Sequence, residues 1–260
     1  MFELKVIKDA LSIDRAEKRW SIRFLFLLVF IIETLSLIYP IGNPDLYITI
    51  RWSEAVIEAI RLADPAALTI SSLPQMPIEV IYNFIYIVFV VLKLFFYLLI
   101  MFYAASLYIG ERKKILPTKI FVQYIKRLPW LLVYLFVLCI LLFVFMMVTI
   151  IMPFLIFLTF LIIPFLFLSA NLIIIDKKNP VDAWIYCVRY SRGKRFWLLS
   201  QVLVIYLIYH LASSLLSIFV SSNSIGAMMI GAALFSYLLC AIGRLSGIYY
   251  YKVNVSELFV

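Results

Sequence analysis

Apolar positions in this chain fall into long blocks, and its polar positions cluster between them. A transmembrane helix needs about 20 mainly apolar residues to cross roughly 30 Å of hydrocarbon. Six blocks satisfy that length, at 22–39, 78–109, 128–151, 153–175, 196–220 and 225–251. Pro40 and Gly42 break the first helix. The second is longer than a perpendicular crossing requires, so it must tilt or emerge into water. No charged residue occurs from Leu128 to Ile175, too much chain for one span, and Met152 with Pro153 marks the hairpin that divides it into two. Ser221, Ser222, Asn223 and Ser224 supply the polar turn before the last span. The pattern predicts an all-α, polytopic membrane helical bundle of six transmembrane helices. Residues 1–260 form a single integral membrane domain with one sizeable outer loop at 41–77.

Composition agrees with the pattern. Apolar residues make up 66% of the 260 and charged residues only 14%, against about 45–50% and about 25% in soluble domains. Three cysteines are sparse and odd in number, which excludes a disulfide scaffold; Cys139, Cys187 and Cys240 are expected as free thiols. The single histidine, His210, is near no cysteine in sequence, so no zinc site is expected.

Charge then orients the spans, because Lys and Arg accumulate on the cytoplasmic side. Basic residues cluster before span one (Lys5 to Arg23), between spans two and three (Arg112 to Arg127), between spans four and five (Lys177 to Arg195) and at the end (Arg244, Lys252). All but three of the 23 therefore face one side, and both termini are expected to be cytoplasmic. The exceptions are Arg51 and Arg61, outside, and Lys93, within span two. The first apolar block is about twice as long as a signal peptide's and no small-residue cleavage site follows it, so it is expected to remain as an anchor. All-helical spans of this hydrophobicity suit a bacterial cytoplasmic membrane.

Two cytoplasmic connections read as short helices lying on the membrane. In the second, Asn179 suits the N-cap, Pro180 the first helical position, Asp182 the positive helix end and Gly193 the stop. Val181, Trp184, Ile185 and Val188 share one face. Such a helix buries its apolar face at the headgroup boundary and holds its arginines near anionic lipid. Pro117 opens the comparable earlier stretch, with Ile120, Phe121 and Tyr124 opposite Lys119, Lys126 and Arg127. Aligning Pro117 with Pro180 pairs Phe121 with Trp184 and Lys126 with Arg189, and each stretch leads into Trp-Leu-Leu, at 130–132 and 197–199. Residues 12–23 also place basic residues and Trp20 before a span. Three repeats of surface helix plus transmembrane hairpin are one explanation; the general attraction of Lys, Arg and Trp to cytoplasmic membrane entries is the other.

In the outer loop, residues 45–62 are expected to be helical, with Leu46, Ile50, Ile57 and Ile60 on the apolar side and Glu58 to Arg61 as a favourable pair. The loop is either a lid or partner-binding surface, or a helix lying on the outer leaflet.

Charges within a span are expensive and usually partnered. Glu33 in span one and Lys93 in span two lie about a turn apart in depth on antiparallel helices and can meet if their faces agree. Together with His210, near the middle of span five, they form the candidate intramembrane polar site. Glu33 and Lys93 are either a proton or substrate site, or a structural ion pair, or two snorkelling side chains; the histidine is either a proton relay or a hydrogen bond to a neighbouring helix. Arg189, Arg192, Lys194, Arg195 and Arg244, with Asn171 nearby, are candidates for contact with a lipid phosphate, although positive-inside charge alone explains them. Gly243 and Gly247, and Ala227 and Gly231, form small-xxx-small pairs that allow close helix approach.

No Walker loop, Gly-x-Ser-x-Gly elbow, His-Glu-x-x-His motif or carboxylate cluster is present in the sequence. The chain is read as non-enzymatic, with no cofactor, no metal and no nucleic-acid partner, its basic pI being accounted for by the positive-inside distribution. The expected partners are membrane lipids, and a membrane protein or a second copy of the chain.

The stretch 164–184 followed by 189–197 resembles a pattern in bacterial six-helix membrane proteins, namely the membrane domain of glycerophosphoryl diester phosphodiesterases and related membrane families. Asp176, Pro180, Ala183, Ser191, Gly193 and Trp197 occupy the places of the turn, the Ala-rich surface helix and the Ser, Gly and aromatic lead into the next span. The match covers about 40 residues well, and the soluble phosphodiesterase domain is absent, so no catalysis carries over. The resemblance implies a bacterial membrane domain tied to the envelope or its lipids. The leading expectation is a protein that engages lipids or a membrane partner through its basic cytoplasmic surface helices. The alternative is a small-solute or proton-coupled transporter with its midplane site at Glu33, Lys93 and His210.

Overall fold

A computed structural model describes residues 3–13, 19–62, 74–151, 156–191, 193–219 and 224–255. The described residues form nine α-helices and no strand: α1 (Leu4–Leu11), α2 (Arg19–Ile38), α3 (Tyr47–Leu62), α4 (Ile78–Arg112), α5 (Pro117–Ile151), α6 (Ile156–Ile175), α7 (Pro180–Tyr190), α8 (Arg195–Phe219) and α9 (Ile225–Val255). Among these residues, five helical stretches are long and apolar enough to cross a membrane: Trp20–Ile38, Ile78–Arg112, Pro117–Leu141, Arg195–Leu216 and Ile225–Asn254. Many of their large apolar side chains, such as Phe24, Leu92, Phe136, Leu207 and Ile230, are exposed, as a lipid solvent permits. The chain is that of an all-helical, multi-pass membrane protein. The expected hairpin at Met152 and Pro153, most of the turn at Ser221 to Ser224, and Arg192 lie outside the described residues.

The chain divides into two compact units, Met1–Ile31 with Leu98–Val260, and Ile32–Tyr97. In the larger unit α6 is the central element, packed against α5, α7, α8 and α9. Its sequence is apolar on every side, which in a bundle means burial on every side. Leu168, Ala170, Leu172, Ile173 and Ile174 are accordingly buried. Asn171 is buried with them and donates to Ser246 Oγ at 2.9 Å, tying α6 to α9. Cys187 of α7 lies 3.1 Å from Ser169 Oγ of α6, and Trp184 stacks on Phe165. All three cysteines are free.

The two small-residue pairs of α9 behave differently. A Cβ on Gly243 would stand 2.8 Å from the Met101 carbonyl oxygen, and one on Gly247 would stand 2.7 Å from Tyr108 Cδ1. These glycines let α9 close on α4, as expected of small-xxx-small pairs. Gly231 has nothing within 4 Å, so the Ala227 and Gly231 pair packs no helix closely among the described residues.

Two expectations about surface helices divide in the same way. Residues 180–190 form the separate short helix α7, opened by Asn179 and Pro180 and buried through Ala183 and Cys187. Residues 117–127 are not separate but run without a break into the following span as the 35-residue α5. Pro129 sits inside α5 and removes one backbone donor without ending the helix. At the N-terminus the short amphipathic helix falls at Leu4–Leu11, ahead of the expected 12–23 stretch.

In the smaller unit, Gly42 (φ +80°) turns the chain after α2 so closely against α4 that a Cβ there would meet the Tyr82 carbonyl and the Tyr86 nitrogen. Buried Asn83 donates to the Asp45 carbonyl (3.0 Å) and to Thr49 Oγ1 (2.6 Å), fixing the start of α3 on α4. No residue of α3 is buried, and Ile50, Ile57 and Ile60 are exposed together.

Candidate functional site

The smaller unit holds the intramembrane pair. Lys93 Nζ lies 3.2 Å from Glu33 Oε2, with side chains 22% and 15% exposed. Tyr97, one turn beyond Lys93, donates its hydroxyl to the same carboxylate oxygen. Lys93 also donates to Ser36 Oγ at 3.1 Å, and Ser36 donates to the Glu33 carbonyl at 2.9 Å. The cluster neutralises its own charge and satisfies its polar atoms within two helices, which is what apolar surroundings demand. His210 belongs to the other unit, on α8, where it is exposed and stands edge-on to the Tyr206 ring at 4.3 Å.

The larger unit gathers its polar chemistry at one end. There the C-terminal ends of α4, α6 and α9, the N-terminal ends of α5 and α8, and helices α1 and α7 are tied together. Gln123 of α5 donates to the carbonyls of Ile174 (2.7 Å) and Ile175 (2.9 Å), capping α6. Tyr250 of α9 donates to Asp176 at 2.7 Å, while Lys113, just beyond α4, reaches Asp176 at 3.3 Å and Tyr250 at 2.9 Å. Tyr186 of α7 donates to Asn254 of α9 at 2.8 Å.

Helix α1 completes this rim by lying antiparallel along α9. At its start Glu3 accepts from Lys252 at 2.5 Å and from the Trp197 indole at 3.2 Å. The Lys252 hydrogen bond and charge hold the Glu3 carboxyl below the usual carboxylate range, with a smaller contribution from Trp197. Near its end Asp9 accepts from Arg244 at 2.8 Å and Tyr108 at 3.3 Å, with Arg112 at 3.7 Å. Arg244 also donates to the Ser12 carbonyl at 2.7 Å, and Tyr237 donates to that of Leu11. The amphipathic face that makes α1 dock carries Ile7 and Ala10, both buried.

Sequence reasoning named the cations of this rim and, among its anions, Asp176 in the turn after span four, but missed Glu3 and Asp9. Arg244 is buried with Asp9 as its counter-ion, where the sequence suggested a side chain reaching for lipid. Lys194 donates to the Lys252 carbonyl at 2.8 Å, and Arg195 donates to Ser191 Oγ (2.8 Å) and the Val188 carbonyl (3.0 Å). Arg189 is exposed. The signal for the missed partners was a short i, i+3 apolar spacing in α1 (Leu4, Ile7, Ala10) flanked by Glu3 and Asp9.

Other rim cations, Lys114, Lys119, Lys126, Arg127, Lys177 and Arg189, have no carboxylate within ion-pair reach among the described residues. Among those residues no three His, Cys, Asp or Glu side chains are grouped so as to hold a metal. No protein-family model, curated protein or solved structure matches the chain.

Proposed function

We propose that this chain is a non-enzymatic, six-span protein of a bacterial cytoplasmic membrane. Its basic cytoplasmic rim engages anionic lipids, or a membrane partner bearing the same charge. Five spans are the long helices above, and the 20-residue, charge-free α6 is the sixth. The positive-inside distribution supports a cytoplasmic rim and cytoplasmic termini. Helices α5 and α7 each begin at a proline and lead toward a Trp-Leu-Leu, which supports the hairpin repeat between them. The resemblance of residues 164–197 to the membrane domain of glycerophosphoryl diester phosphodiesterases supports a role at the envelope lipids.

One observation carries the reading. Among the described residues three carboxylates of the rim are consumed by particular cations (Asp9 by Arg244, Asp176 by Lys113, Glu3 by Lys252), while Lys119, Lys126, Arg127, Lys177 and Arg189 have none within ion-pair reach and are read as holding an anion from outside the chain. Each such cation near an anionic leaflet contributes about 1 kcal/mol of attraction. Extraction of the full chain in polymer-bounded lipid discs tests this. Anionic lipid is enriched over the bulk membrane in the discs, and charge reversal at Lys119, Lys177 and Arg189 removes the enrichment. Discs of bulk composition would refute the reading.

The Glu33 and Lys93 pair supports transport as a second reading, because an ion pair inside spans is the usual mark of a permeation or proton path. Proteoliposomes decide it: proton or solute flux that disappears in Lys93→Met supports transport, and absence of flux in the unaltered protein excludes it.

A further inference from the structure

One stripe of α5 carries two kinds of chemistry in succession. Positions 119, 122, 123, 126, 127 and 130 follow helical spacing and, with Lys177 across from them, line a cleft of 630 Å³. Positions 130, 133, 134, 137, 138 and 141 continue the same stripe and line a groove of 580 Å³. Val181, Trp184 and Ile185 of α7 form the groove's far side. Trp130 belongs to both, at the junction.

The first stretch is cationic: Lys119, Lys126, Arg127 and Lys177 surround the cleft. No described carboxylate is in ion-pair reach of any of them, in contrast to Lys113, Arg244 and Lys252 on the same rim. The second stretch is apolar, with Val133, Val137 and Leu141 exposed. Asp182 at the groove's edge repels an anion there, so the charged end of an occupant is directed to the lysines.

Dimensions fit the same occupant. At 1.5 Å per residue, positions 130 to 141 span about 16 Å, close to the roughly 15 Å depth of one leaflet's hydrocarbon. Tryptophan prefers the level where hydrocarbon meets headgroup, which is where Trp130 divides the two stretches. The groove opens along a membrane-spanning helix, where the surrounding solvent is lipid.

From this geometry we infer that the α5 stripe binds one anionic phospholipid. Its phosphate sits among Lys119, Lys126, Arg127 and Lys177, and one acyl chain lies between α5 and α7. This site rests on the proposed lipid-engaging function and narrows it to one place and one lipid class. It is distinct from the Arg189–Arg195 segment singled out by sequence.

Native mass spectrometry of the delipidated full chain, titrated with dioleoyl phosphatidylglycerol or the phosphatidylcholine of the same chains, tests it. One phosphatidylglycerol is retained about tenfold more readily than phosphatidylcholine, and Lys126→Gln with Arg127→Gln lowers retention about tenfold. Val137→Trp, which fills the groove from an exposed position, also lowers it. Equal retention of the two lipids, retention unaffected by the double variant, or displacement by glycerol phosphate as effective as by the whole lipid would each overturn the site. An adduct of polypeptide mass would overturn it in favour of a protein ligand. If anionic preference persists in the double variant but is lost in Arg189→Gln, the site fails and the broader reading stands. If no anionic preference is found anywhere, both fail.

Discussion

Asp9 and Arg244 are 235 residues apart in sequence and 2.8 Å apart at their charged atoms. Their pairing closes the N-terminal helix onto the C-terminal one. Arg244 is buried and Asp9 half-buried, so removing either partner strands a charge in a poorly hydrated place. Asp9→Asn and Arg244→Gln should each lower stability by about 2 kcal/mol, within the range for hydrogen bonds to charged groups. The swap Asp9→Arg with Arg244→Asp should recover part of that loss. Thermal unfolding of the purified variants reads the difference, and an unstable swap with two neutral single variants would show the pair to be incidental.

At the other end of α1, Glu3 is held below the ordinary carboxylate range by Lys252. A carboxyl whose folded-state pKa is depressed contributes stability above its unfolded pKa and loses it as pH falls through the folded one. Docking of α1 should therefore be constant above about pH 5 and weaken below about pH 4. Hydrogen exchange over residues 4–11, corrected for intrinsic rates, follows it. Glu3→Gln should flatten the part of the profile owed to this contact.

Within the smaller unit, Lys93→Met leaves Glu33 without its counter-ion, whereas Lys93→Met with Glu33→Gln leaves no charge behind. The double variant should be more stable than Lys93→Met alone, with a coupling of about 1–3 kcal/mol. Additive losses would mean that the two side chains act independently despite their 3.2 Å separation.

Substitution of the α9 glycines should discriminate sharply. Gly247→Ala drives a methyl into Tyr108 and Gly243→Ala drives one into the Met101 backbone, each costing about 1–3 kcal/mol. Gly231→Ala meets open space and should be neutral or stabilising by up to about 1 kcal/mol. Unfolding in graded denaturing detergent compares the three.

The Cys187 thiol is pushed up to about 12 by burial against α6, so almost none of it is thiolate at neutral pH. A maleimide should label it only after denaturation. Rapid labelling of the folded chain at pH 7 would place α7 away from α6.

Much of this architecture was legible from the spacing of apolar blocks, because a span's length is imposed by the bilayer and not by neighbouring helices. The starts of α4 at Ile78 and α9 at Ile225 fall where the pattern put them. Glu33 and Lys93 were legible as two costly charges at similar depth, but whether their helix faces meet depends on how α2 and α4 rotate about their axes, and only the 3.2 Å contact answers that. The continuity of α5 was hidden because its first turns carry Lys119, Lys126 and Arg127 and so read as a helix lying on the membrane, while the backbone runs on unbroken through Pro129 into the apolar span. The rim was hidden because its partners come from opposite ends of the chain. Asp9, Asp176 and Glu3 look like scattered surface acids until α1, α6 and α9 are brought together. The α5 cleft depends on Lys177, which only the turn after α6 brings to Lys126 and Arg127.

Electron spin resonance of spin-labelled lipids around the reconstituted full chain reads the proposed selection of anionic lipid by the rim without any variant. The motionally restricted fraction should be larger for phosphatidylglycerol than for phosphatidylcholine, and the excess should fall as salt is raised from 0.01 to 1 M and the screening length shrinks from about 30 to about 3 Å. Equal restricted fractions for both lipids at low salt would exclude that selection.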